Sequence, residues 1–191
     1  MTSVVHIISA TLREDVEAAA IDAAVEHARA LATARGAQHV VIARSPQAIL
    51  AATWIEGRDA LEPFAASPEH MAFVMRGLAP CISGMWSAGV ETEATPPETP
   101  PALLWAFGVR DSDTVYEWQI RDLVQSLDAL PAVVAAGPTF EERDRYRAGG
   151  IACVPAGDVE AFRAALEDVR RGWGDIARYV AEASADVVAS R

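Results

Sequence analysis

Gly57-Arg58-Asp59-Ala60-Leu61-Glu62-Pro63-Phe64 follows one apolar run, Ile49–Ile55, and Gly157-Asp158-Val159-Glu160-Ala161-Phe162 follows another, Ile151–Pro155. In both, a glycine ends a strand-like stretch and an acidic residue opens a helical one, where a carboxylate meets the positive end of the helix dipole. Asp59 and Asp158 are 99 positions apart, and so are His6 and Trp105. A shared offset at two distant places points to an internal repeat, and a repeat changes the fold that the rest of the chain is read into.

Outward from the first copy, Val4–Leu12 is rich in β-branched residues and reads as a strand. Val16–Arg35 lacks Pro and Gly and carries Val16, Ala20, Ala24, His27 and Leu31 at helical spacing, with Gly36 placed to end the helix. His39–Arg44 and Ile49–Ile55 read as strands joined through Ser45-Pro46-Gln47. A helix starts near Asp59, Ser67-Pro68-Glu69 restarts it to about Leu78, and Met85–Val90 supplies a last strand. The second copy repeats the order: strand Ala102–Val109, helix Asp113–Ala129, strands Ala132–Ala136 and Ile151–Pro155, helices Asp158–Arg171 and Trp173–Ala183, and a short strand Asp186–Ala189.

Each half is thus β-α-β-β-α-β, the ferredoxin-like pattern. Pro96, Pro97 and Pro100, together with Glu93 and Glu98, make 93–100 a stiff, solvated linker between halves 1–92 and 101–191. Each four-stranded sheet needs cover on the face away from its helices. The reading is therefore an α+β fold in which the two sheets close face to face as one intramolecular barrel, with helices outside.

Composition narrows the function. The chain has 191 residues, 51% of them apolar, and a formal net charge of −11, which supports a packed core and opposes binding to nucleic acid or an anionic membrane. All 16 basic residues are Arg, so lysine-dependent phosphate loops and Schiff-base chemistry are excluded. Cys81 and Cys153 lack any metal-finger spacing and are expected to be reduced and buried. With no signal-peptide pattern at the start and no apolar run of membrane length, the expected location is the cytoplasm.

Only four histidines occur, at 6, 27, 39 and 70. His6 alternates with Val4 and Ile8 and is expected to face a cavity of the sheet, and His70 opens a helix at the mouth of that cavity. Two imidazoles at one cavity suit general acid/base chemistry near neutral pH. His27 reads as packing and His39 as surface. Glu62 and Glu69 are explained by helix starts, so no metal is expected. Trp54 and Trp105 lie on strands and are expected to line the cavity for a planar ligand, Trp105 as part of a wall from the second half. In Glu141–Arg147, a solvated segment of mixed charge, Arg143, Arg145 and Arg147 are candidates to clamp a carboxylate.

Val4-Val5-His6-Ile7-Ile8, followed after a long helix by Trp54-Ile-Glu-Gly-Arg-Asp-Ala-Leu-Glu-Pro-Phe64-Ala-Ala-Ser67-Pro68-Glu-His70-Met-Ala-Phe73, resembles the stress-responsive dimeric A/B barrel family over residues 4 to about 92. The same stretch is similar to antibiotic biosynthesis monooxygenase domains, a sister family of the same fold. The first family has a first-strand His and a His-Pro-x-His or similar segment opening its last helix. A polyketide cyclase of that family uses both histidines as acid and base, and by resemblance these are His6 and His70. Phe64 stands where that enzyme has a Tyr, and Ser67 where it has the first His of its motif. The resemblance implies catalytic His6 and His70, with Phe64 and Phe73 beside the substrate and no cofactor. Three functions follow as alternatives: a cofactor-independent cyclase, lyase or isomerase acting on an aromatic or polyketide-like carbonyl compound, a non-catalytic stress or ligand-binding barrel, and a cofactor-free monooxygenase. The expected partner is a small hydrophobic or aromatic molecule, bound by a monomer with pseudo-dimer symmetry or by a homodimer of such chains.

Overall fold

A computed structural model describes residues 2–140 and 146–190. Its order is β1 (Ser3–Leu12), α1 (Ala18–Ala30), β2 (Ala37–Arg44), β3 (Ala48–Ile55), α2 (Arg58–Ala65), α3 (Pro68–Ala72), β4 (Ile82–Thr92), β5 (Leu103–Arg110), α4 (Glu117–Asp128), β6 (Val133–Pro138), β7 (Tyr146–Val154), α5 (Val159–Arg171) and β8 (Val180–Ser190). The strands form one eight-stranded sheet in the order β4-β1-β3-β2-β8-β5-β7-β6, antiparallel throughout. It curls into a nearly closed α+β barrel.

Three cores follow from the period-2 alternation of the strands. Val5, Ile7, Val41, Leu50, Ala52 and Trp54 meet Leu104, Ala106, Ile151, Cys153 and Ala185 in the barrel interior. On the outer face of the first half, Val4, Ile8, Val40, Ile42 and Ala51 pack against α1 through Ile21, Ala24, Val25 and Ala28, and against Phe64, Phe73 and Leu78. Outside the second half, Trp105, Phe107, Ile120, Leu123, Phe162 and Leu166 form the matching layer. Cys81 and Cys153 are both free and buried. Burial pushes the Cys153 thiol up to about 12, so it stays protonated.

Strands β1–β4 and strands β5–β8 meet along two unlike seams. Between β2 and β8 the backbones pair, from Val41 opposite Ser190 to Arg44 opposite Asp186. Across the other seam, β4 and β6 stand at opposite ends of the strand order. There Thr92 Oγ1 donates to Val134 O at 2.7 Å, and the Trp86 and Tyr146 rings lie 5.5 Å apart. A Cβ at Gly149 would come within 2.9 Å of Ala88 Cβ, so glycine is what allows β4 and β7 to approach there.

Two elements differ from the sequence reading. The expected helix Trp173–Ala183 is a short 3₁₀ stretch, Gly174–Tyr179, and the chain then enters the eleven-residue strand β8, far longer than the expected Asp186–Ala189. Its alanines suit a helix, but pairing with β5 on one side and β2 on the other outweighs that propensity. The helix expected from Ser67 to Leu78 is α-helical only to Ala72 and continues as wider π-helical turns, Phe73–Leu78. Gly77 lies in those turns against α1, where an added Cβ would stand 3.2 Å from both Ala24 Cα and His27 Cβ.

Candidate functional site

His6 shares its face of β1 with Val4 and Ile8, and that face turns toward the helices, away from the barrel interior. The expectation of a cavity between the two sheets is corrected accordingly. The side chains of Val5 and Ile7 fill the interior side of β1, leaving the even-numbered positions to the helix layer.

Helix α3 brings His70 to the same place. Ser67 caps its start, accepting a hydrogen bond from His70 N at 3.2 Å, and Pro68 occupies the first helical turn, where its missing N–H costs nothing. The His6 and His70 ring centroids are 5.5 Å apart. Phe64, at the end of α2, stands edge-on to both, 5.7 Å from His6 and 5.1 Å from His70. His6 is 5% exposed, and Phe64 and Phe73 are fully buried in the same layer. The two imidazoles and the two phenyl rings thus form one packed cluster between β1 and the helices.

Ser87 was not singled out from the sequence. It is half-buried on β4 opposite Ile8, two residues from Gly89, the cross-strand neighbour of His6, and so shares the histidines' face. Only the β1–β4 register reveals it. Among the described residues, no group of three or more His, Cys, Asp or Glu is placed to hold a metal.

The remaining candidates lie elsewhere. Trp54 faces the barrel interior, fully buried, with His39 edge-on at 5.6 Å. Trp105 does not wall the histidine pair. It packs outside the second half, against Phe107 and Phe162, and its Nε1 donates to Glu182 Oε1 at 3.0 Å. The cause is the same as for His6, since Leu104 and Ala106 take the interior positions of β5. Arg147 is held by Val115 O and by Glu117 and Asp111, while Arg143 and Arg145 lie outside the described residues.

His39 is not a surface residue. It is half-buried against Trp54, and its Nε2 lies 3.0 Å from Ser190 Oγ, tying β2 to β8 at the paired seam. Burial lowers its pKa below the ordinary imidazole value. The folded state therefore binds fewer protons than the unfolded one between the two values, so the His39 contribution is intact above the ordinary value and is lost as the pH falls below it. Thermal melts between about pH 8 and 5.5 should show a steeper loss for the native chain than for His39→Gln. Parallel curves would remove His39 as the cause.

No family model matches the chain, and no curated protein does. Solved structures do share the fold. An anthrone oxidase-like protein aligns with a TM-score of 0.64 at 11% identity, covering 99% of this chain and 92% of its own. A candidate monooxygenase from Lactobacillus acidophilus gives 0.54 at 11% identity, with 98% and 94% covered. A heme-binding protein from Thermus thermophilus gives 0.51 at 11% identity, with 99% and 93% covered. At such identities the likeness is one of fold: this chain is an α+β barrel of the kind found among these proteins. Among the described residues, no helix is long and apolar enough to cross a membrane.

Proposed function

We propose that the chain is a small enzyme that moves protons on an aromatic or polyketide-like carbonyl compound, with His6 and His70 as its acid/base pair and no bound cofactor. One observation carries this reading: the two rings lie 5.5 Å apart, against Phe64, in the layer between β1 and the helices. One imidazole takes the proton from the carbon beside the carbonyl and the other delivers a proton to the enolate oxygen, so the step needs no oxidant. Phe64 and Phe73 give the planar substrate an apolar wall.

A second reading, oxygenation, draws support from the fold neighbours described as a monooxygenase and as anthrone oxidase-like. Proton removal from an activated aromatic methylene would leave a carbanion that reduces dioxygen, so that CH2 and O2 become C=O and water. Incubation with anthrone and with a phenolic β-ketone, under nitrogen and under air, separates the readings. Turnover under nitrogen supports proton transfer alone, and turnover confined to air supports oxygenation. Saturable binding without turnover in either gas replaces both with a ligand-binding barrel.

A further inference from the structure

Strands β2 and β3 are joined by residues 45–47, whereas β6 and β7 are joined by the longer 139–145. Extra length in a connection is where binding residues are commonly carried. This one begins beside β4, the border strand next to the one that carries His6.

Its first two residues cross the seam between β6 and β4. A Cβ on Gly149 would stand 2.9 Å from Ala88 Cβ and 3.7 Å from Thr139 Cγ2, so Thr139 leaves β6 alongside Ala88. Phe140 follows, half-buried, and packs against the outer core that holds Phe64 and Phe73. The centre of its ring lies 4.3 Å from the Arg58 guanidinium carbon, and Arg58 Nη2 lies 3.3 Å from Glu91 Oε1. Ala88 and Glu91 bracket Gly89, the residue of β4 opposite His6. Gly89 is buried although no strand follows β4 in the sheet, and a residue without a side chain leaves its part of the face to be filled by neighbours.

A guanidinium over a ring face is attracted by the ring quadrupole, and Glu91 pairs with that guanidinium in turn. Phe140 therefore has a defined place at the β4 side of the layer in which His6, His70 and Phe64 lie.

On the acid/base reading of the histidine pair, we propose that Phe140 sets the substrate specificity of that site. Its ring forms the wall on the β4 side and limits how many fused rings a substrate can present to His6 and His70. Residues 101–191, which contain no histidine, thereby contribute to the site as well as to the barrel.

Anthrone, with three fused rings, and benzoylacetone, with one, are the probes, each followed by keto–enol turnover and by equilibrium dialysis against the whole chain. Phe140→Ala moves the wall back, so the ratio of kcat/KM for anthrone to that for benzoylacetone should rise roughly tenfold, the effect of a small change of volume in an apolar pocket. Phe140→Leu should fall between, and Phe140→Trp should shift the ratio the other way. A ring that only packs would change both substrates together, so an unchanged ratio across the three variants, with both compounds still turned over, overturns the assignment. Should the native chain turn over neither compound, the acid/base reading fails, and the ratio of the two dissociation constants reads Phe140 by itself. The same ordered shift in that ratio upholds the wall. A constant ratio, or no binding of either compound, removes it.

Discussion

Replacing His6 or His70 by Gln is expected to lower turnover of an aromatic carbonyl substrate by about 10²- to 10⁴-fold, the range over which positioned acids and bases act. Glutamine keeps the approximate volume and a hydrogen-bonding end, so neither change opens a large hole in the layer formed by Phe64 and Phe73. The melting temperature should therefore move by only a few degrees, on the order of 1 kcal/mol in a domain of this size. Steady-state kinetics and thermal melts on the same preparations decide the matter. If either substitution melts the protein while the other keeps full activity, the two rings are packing groups and the acid/base pair is lost.

The largest effect on stability is expected at Gly150. A Cβ there would collide with the Phe107 ring and stand 2.6 Å from Ala135 O and 3.0 Å from Ala136 Cα. A ring can turn, but the other two atoms are backbone of β6, tied to β7 by the ladder that pairs Ala136 with Gly150. Gly150→Ala should cost roughly 3 kcal/mol, the upper part of the range for overpacking. Gly157→Ala serves as the control, because a Cβ there meets nothing within 4 Å. Urea denaturation of the pair should show a large drop in midpoint for the first and little for the second. Equal midpoints would mean that β6 yields to the added methyl group.

The element order was legible because glycines and prolines punctuate the chain where strands give way to helices, as at Gly36, Gly57 and Pro68. Which face of each strand meets which layer was not. Val4, Val5, Ile7 and Ile8 are all apolar and all buried, so β1 has no polar side to mark its outside. Alternation placed His6 with Val4 and Ile8 but could not say whether that set looks inward or toward α1. Trp105 on β5 was assigned to the wrong layer for the same reason. His39 read as surface because its partner Ser190 is 151 positions away, at the end of a strand whose first residues, Val180–Ala183, read as helix and whose remainder read as only a short strand.

The second seam bears on how the molecule avoids self-association. An open sheet ends in two strands whose unpaired N–H and C=O groups invite strands from other molecules. Here β4 and β6 are those two ends, and the barrel turns them toward one another, so that Val90 stands 3.4 Å from where a Cβ of Gly137 would be. Each border strand screens the other from strangers although their backbones are not zipped together, and one chain achieves this without borrowing a second copy.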